Sequence, residues 1–314
     1  MSAVVLLAPP RSARAGATER RLIASTAAGS PAPGAAARAI GRAATAALRE
    51  ELRTFPKPGL VTPGDPGAHR DMDAATFEAS LRALRGTFRA VARAGMARAS
   101  FPVLRALGIR AEARMLAATG GVNTHRGAIF TLGLLAAAAG RLARENAPCK
   151  PDALRAVLRR AYGQAVLRER PQGAWSHGAI VEGRHGAGGA RAEAAGGFPH
   201  LFEVALPALE TSLARGAPRR AAAVQCLMSA IAVLPDTNLL YRGGERGLAF
   251  ARAAAGEFLL AGGVHRPGWE EHAREVHAAF VARRLSPGGS ADLLAAALFV
   301  HLLASRREPG TGSA

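Results

Sequence analysis

Cysteine is almost missing from this 314-residue chain. Cys149 and Cys226 form no CxxC pair, which excludes a disulfide framework and a cysteine zinc site and makes a reducing cytoplasm the expected setting. Aromatic residues are only 5% of the chain, and no stretch alternates apolar with β-branched or aromatic residues as strands do, so a sheet protein is excluded. Long apolar runs are lacking too. The two longest, near 128–139 and 293–304, fall short of the roughly 20 residues that cross a bilayer, and both are expected as buried core helices. HExxH, GxSxG and strand-linked GxGxxG patterns are absent, which removes the common zinc-hydrolase, α/β-hydrolase and dinucleotide-binding readings. Of 41 basic residues only Lys57 and Lys150 are lysines. Against 23 acidic residues they leave a net charge of +18, which suits a polyanionic partner such as nucleic acid, an acidic membrane or a phosphate-rich small molecule. A coding bias toward Ala, Gly and Arg would produce the same excess.

What the chain does have is apolar residues at helical spacing. A 49% hydrophobic content excludes a mostly disordered chain. Phe77, Leu81, Leu84, Phe88 and Val91 step by four, three, four and three, which is one helix face, and Asp73 stands ahead of them as an N-cap. Similar patterns run over about 35–52, 109–118, 125–144, 151–168, 199–214, 218–234, 246–260, 267–285 and 290–305. The fold class is therefore all-α: a single multi-helix catalytic domain over 35–306, with an Ala/Pro/Gly/Arg-rich mobile extension at 1–34 and a disordered tail at 307–314. The longest irregular stretch, 169–189, holds Trp175, His177 and His185, and loops of that length are usually functional or mobile.

The helices are bland and the segments between them are not. In 56–73 (PKPGLVTPGDPGAHRDMD), Lys57 lies between two prolines, and His69, Asp71 and Asp73 follow at spacings of two. Such oxygen ligands suit Mg²⁺ shared with a phosphate chain, or Asp71 and Asp73 simply cap the next helix. In 118–130 (ATGGVNTHRGAIF), Gly120, Gly121, Asn123, Thr124 and His125 precede an apolar helix, a setting for anion binding by backbone N–H groups, or for an ordinary capped turn. Glu112 lies on the helix before it. A third island, 188–200, sets Arg191 and Glu193 between paired glycines, for a phosphate or for a surface ion pair. The fourth (PDTNLLYRGG, 235–244) and fifth (LSPGGSADLLA, 285–295) place Asp236, Asn238, Arg242, Ser286, Ser290 and Asp292 at helix boundaries, with Ser290 expected as an N-cap.

Taken in order, PKPGLV, GAHRDMD, ATGGVNTHRGAIF, GARAEA with GFP, DTN with RGG, and SPGGSADLLAA resemble the triphosphoribosyl-dephospho-CoA synthase family, which makes the prosthetic-group precursor of citrate lyase and malonate decarboxylase. The wording of the middle islands is closer to the malonate decarboxylase branch. Two departures stand out: Thr62 occupies a position where many relatives carry an acidic residue, and residues 1–34 match nothing in the family. The resemblance implies that ATP and 3′-dephospho-CoA give 2′-(5″-triphosphoribosyl)-3′-dephospho-CoA with release of adenine. A glycosyl transfer of this kind needs the triphosphate neutralised, a base for the attacking hydroxyl, a proton for the departing adenine, and negative charge near an oxocarbenium-like transition state.

The roles implied are Mg²⁺ on Asp71 and Asp73, and phosphate contacts from Lys57, Arg126, Arg191, Arg242 and the Gly120, Gly121, Asn123 and Thr124 turn. Glu112 or Asp236 is the expected base, and His69 or His125 the expected acid. The expected partners are the two nucleotides and downstream acyl-carrier enzymes, with no nucleic acid and no membrane, in the cytoplasm. Two other readings stand beside this one: a metal-dependent N-glycosidic hydrolase of ADP-ribose-like nucleotides, and a basic helical nucleic-acid-binding protein.

Overall fold

A computed structural model describes residues 33–169 and 189–305. Nearly all of the expected 1–34 extension, the 307–314 tail, and the loop with Trp175, His177 and His185 lie outside the described residues. The chain forms helices α1 (Pro33–Arg53), α2 (Ala74–Ala83), α3 (Thr87–Met96), α4 (Phe101–Ala118), α5 (Arg126–Arg144) and α6 (Pro151–Leu158). A π turn at Arg159–Gly163 leads into α7 (Gln164–Arg168), followed by α8 (Gly189–Ala195). A second π turn, Leu201–Ala205, opens α9 (Leu206–Ala214); then come α10 (Arg219–Val233), α11 (Thr237–Leu260), α12 (Trp269–Ala282) and α13 (Gly288–Ala304). The only β feature among the described residues is an isolated Thr62–Asp65 bridge, so the all-α single-domain expectation holds.

The core follows from composition. Both expected core helices are buried: α5 through Leu132, Leu134, Leu135 and a run of alanines, and α13 through Leu293, Leu294, Leu298, Phe299 and Val300. Apolar on nearly every side, they can sit only where other helices cover them, and α1, α3 and α10 do so. The α3–α5 crossing is set by small residues. A Cβ on Gly95 would collide with Ala137 O, and one on Gly140 with Ala92 O, so the two backbones approach closer than any side chain allows.

Three boundaries differ from the sequence reading. The face running from Phe77 to Val91 is not one helix: the chain turns at Gly86, whose φ of 77° is left-handed, and α3 starts anew at Thr87. The fourth island is largely helical, with Asp236 as the N-cap of α11 and a break at Gly244, where φ is 60° and ψ −160°. Ser290 is not an N-cap either. Pro287 holds that position, and Ser290 lies in the first turn of α13, where its backbone N–H needs a partner from elsewhere. Asp73 does cap α2 as expected, within a capping box that includes Thr76.

The α3–α5 crossing tests the packing directly. Gly140→Ala should lower unfolding free energy by about 1–3 kcal/mol, the usual cost of overpacking, read from denaturant midpoints with the helical circular dichroism of the folded protein unchanged.

Candidate active site

Four of the five islands meet at the N-terminal ends of α5, α11 and α13. Asp236, 1% exposed, makes the junction. Its Oδ1 accepts from Asn238 N at 2.9 Å, capping α11. Its Oδ2 accepts from Ser290 N at 2.8 Å and Ser290 Oγ at 2.9 Å, so the same carboxylate also caps α13. One step further, Asp292 accepts from the Ala128 N–H at the start of α5, lying against Gly127 where any Cβ would displace its Oδ2. Three positive helix ends are thus answered by two carboxylates. Burial raises the Asp236 carboxyl and its hydrogen bonds oppose the rise; burial and then the neighbouring Asp236 and Glu51 charges hold Asp292 well above the usual carboxylate range.

Lys57 brings the first island to the same place. Its Nζ is buried and donates to Glu51 Oε1 at 2.6 Å and Glu51 O at 2.8 Å, and burial depresses its pKa. The 57–65 loop is held from beneath by His277, which lies 2.6 Å from Lys57 O through Nδ1 and 3.0 Å from Asp65 Oδ2 through Nε2. His125 is buried between the islands: Nδ1 pairs with Ser80 Oγ at 2.6 Å, Phe77 packs edge-on, and Nε2 has no partner. Burial, reinforced by the Lys57 charge, lowers the imidazole to about 3. Thr124 Oγ1 beside it is also buried and unpartnered. The neighbouring turn needs its glycines for conformation, since Gly120 and Gly121 have φ of 63° and 90° with open space around both. Asn123 accepts from Arg126 N at 3.1 Å, and the Arg126 guanidinium pairs with Glu112.

Linked to this centre through His69 and Ser286 is a cavity of about 390 Å³ lined by His69, Arg70, Asp71, Arg242 and Arg284 among others. His69 joins Ser286 Oγ at 2.9 Å through Nε2 and Arg242 at 3.0 Å through Nδ1, and burial with the Arg242 charge lowers it to about 4. Arg242 also donates to Ala68 O and Arg284 O, stitching the fourth island to the first and to the residue just before the fifth. Asp71 is exposed at this rim, with Oδ1 3.8 Å from His69 Nδ1. Asp73 is committed elsewhere: its Oδ1 takes Thr76 N at 2.9 Å and Thr76 Oγ1 at 2.8 Å. No group of three His, Cys, Asp or Glu residues able to hold a metal occurs among the described residues, so the Asp71 and Asp73 pair does not make a protein cage for Mg²⁺. Arg191 donates to the carbonyls of Val166 and Glu169, closing the end of α7, and Glu193 pairs with His200; Gly189 of the third island approaches Thr237 at the start of α11. Sequence reasoning missed Glu51 and Ser80, which lie inside helices and belong to no island, and it named Asp292 in the fifth island without giving it a site role.

A model of the ATP:dephospho-CoA triphosphoribosyl transferase family matches residues 37–310. The chain is 37% identical over 257 residues to a probable 2-(5″-triphosphoribosyl)-3′-dephosphocoenzyme-A synthase of Acinetobacter calcoaceticus, covering 82% of this chain and 88% of that protein. It is 42% identical over 257 residues to a probable synthase of the same name from Pectobacterium carotovorum, covering 79% and 84%, and 41% identical over 270 residues to one from Klebsiella pneumoniae, covering 84% and 94%. No solved structure matches the chain.

The buried imidazole gives the centre a pH signature. His125 is neutral in the fold, whereas an unfolded histidine binds a proton below its ordinary value of 6.5. The unfolded state therefore gains protons first as pH falls, and the contribution, complete above that value, is lost progressively toward about 3. Between about pH 7 and about pH 5 the loss from this residue should be about 2 kcal/mol, read as the difference in pH slope of denaturant midpoints between the native chain and His125→Asn.

Proposed function

This chain belongs to the ATP:dephospho-CoA triphosphoribosyl transferase family, and from that premise we propose how its polar centre carries the reaction. The protein is a transferase that forms triphosphoribosyl-dephospho-CoA, with ATP as a substrate. Once the triphosphoribosyl unit has left ATP, adenine remains. The observation that supports a site here is that the first, second, fourth and fifth islands are tied together through Asp236–Ser290, Asp292–Ala128 and His69–Ser286, with an arginine-lined cavity at His69 and Arg242.

We infer that the triphosphate lies in that cavity, where Arg70, Arg242 and Arg284 neutralise it and the His69–Ser286 contact fixes the wall. Of the two expected metal ligands only Asp71 has its carboxylate at the cavity. Mg²⁺ carried in by the triphosphate would disperse the phosphate charge, with Asp71 as its one protein ligand. The Gly120–Thr124 turn and Arg126 offer a second anion position at the start of α5, where Thr124 Oγ1 is free. Lys57 and Arg191 are withdrawn from phosphate contact in this reading, because their donors already serve Glu51 and the end of α7. Between the two expected bases, Asp236 is sealed and fully engaged, which leaves Glu112, partly exposed beside Arg126, to take the proton of the attacking 2′-hydroxyl. Use of the product in the carrier subunit of malonate decarboxylase or citrate lyase, and a cytoplasmic setting where both nucleotides are found, complete the proposal.

The purified protein with ATP and Mg²⁺ should release adenine only when dephospho-CoA is present, with a coupled product in the mass spectrum. Adenine or ribose appearing without the second nucleotide would instead identify a hydrolase. Arg242→Ala should raise the KM for ATP about tenfold or more, the worth of one lost charge-assisted hydrogen bond, in steady-state kinetics under the same conditions.

A further inference from the structure

Neither histidine expected to act as the acid is suited to it. His125 and His69 are lowered to about 3 and about 4, so both are neutral at physiological pH and have no acidic proton to give. Departing adenine still needs one, because the electron pair of the breaking C1′–N9 bond must end on a base that becomes neutral.

Resting on the transferase reading above, we propose that Asp292 is the proton donor to the departing adenine. The geometry separates the two neighbouring carboxyls. Asp236 is sealed from solvent and meets four donors: Asn238 N, Leu239 N, Ser290 N and Ser290 Oγ. Those four donors oppose the rise that burial gives this carboxyl and favour its anion. Asp292 takes the Ala128 N–H, packs on Gly127, stands beside the negative Asp236 and Glu51, and is half-buried where Asp236 is sealed, so of the two it is the carboxyl that favours a proton. The other titratable groups nearby are already engaged: Lys57 is bound to Glu51, and the neutral His125 ring to Ser80. Two buried, unpartnered polar atoms, His125 Nε2 and Thr124 Oγ1, lie on the adjoining stretch just ahead of Gly127 and mark a place where a polar ligand would be satisfied.

The step balances. The C1′–N9 bond breaks with its electrons passing to N9, and the Asp292 proton passes to a ring nitrogen of adenine, which leaves neutral. The 2′-oxygen of dephospho-CoA bonds to C1′, and its proton passes to Glu112. Water then returns a proton to Asp292 from Glu112. Once Asp292 has given up its proton, the pair carries two negative charges beside the cationic sugar.

The test uses the full chain and two donor nucleotides, ATP and ATP methylated at N7, whose base leaves neutral without being protonated. Asp292→Asn, which imitates the protonated carboxyl, should keep its fold and its KM for both nucleotides. On ATP its kcat should fall by about a hundredfold or more, and it should lose the high-pH limb of the native profile, while on the methylated donor it should match the native chain. Loss of kcat on ATP of less than about threefold, or equal losses on both donors, would overturn the proposal. Should the variant fail to fold, the native chain decides alone: a high-pH limb with ATP that vanishes with the methylated donor supports the donor role, and identical profiles, or a methylated donor that is not consumed while ATP is, overturn it. A native chain releasing no adenine from ATP and dephospho-CoA would instead sink the transferase reading itself.

Discussion

One carboxylate, Asp236, holds two helix ends at once. Its Oδ1 caps α11 and its Oδ2 satisfies the N–H and hydroxyl of Ser290 in α13. A buried anion with those partners removed would be costly, and buried N–H groups without the anion nearly as costly, so the two helices are fixed relative to each other by mutual need. The rest of the centre is placed by that joint. Asp292, two residues beyond Ser290, is delivered to the start of α5, and Ser286, just before α13, is delivered to His69. The 56–73 loop closes over the same joint through Leu285, whose carbonyl packs so tightly on Gly59 that no Cβ would fit.

Much of the fold could be read in advance because burial leaves a period. The apolar steps of α1, α5 and α13 come from the face each helix turns to the core, and α5 and α13, apolar all round, were legible as interior helices for the same reason. Phe77 to Val91 misled because the two helices either side of Gly86 keep a common buried side through the turn, and periodicity reports faces, not continuity. The islands were legible as polar segments, but not their division of labour. An aspartate before a helix reads identically whether it caps its own helix, as Asp73 does, or two helices distant in sequence, as Asp236 does. Glu51 and Ser80 left no signal at all, since a polar residue inside an amphipathic helix looks solvated until a second element covers it.

The arginines also change meaning in the structure. Several do structural work: Arg191 closes α7, Arg219 and Arg220 pair with Glu50 and Glu270, and Arg98 pairs with Glu145. Exposed pairs of this kind contribute little individually. A small subset, Arg70, Arg242 and Arg284, shares the cavity at His69. The net charge of +18 therefore draws polyanions toward the molecule in general, and three guanidiniums give one of them a place to settle.

That division reconciles a basic protein with an acidic centre. A triphosphoribosyl donor is a polyanion at one end and becomes cation-like at C1′ as its base departs, so a uniformly positive pocket would bind the substrate and oppose the reaction. Here the two signs are kept apart: Arg70, Arg242 and Arg284 line the cavity, and Asp236, Asp292 and Glu51 cluster at the helix ends tied to it through His69 and Ser286, with Lys57 compensating Glu51. Three neighbouring carboxylates, two buried and one half-buried, are costly to keep all ionised with only one lysine to balance them. A proton on Asp292 relieves that conflict at rest, and its departure during the reaction places the uncompensated negative charge where the sugar turns positive. The same electrostatic conflict that makes the centre expensive to fold thus makes its charge available when the transition state needs it.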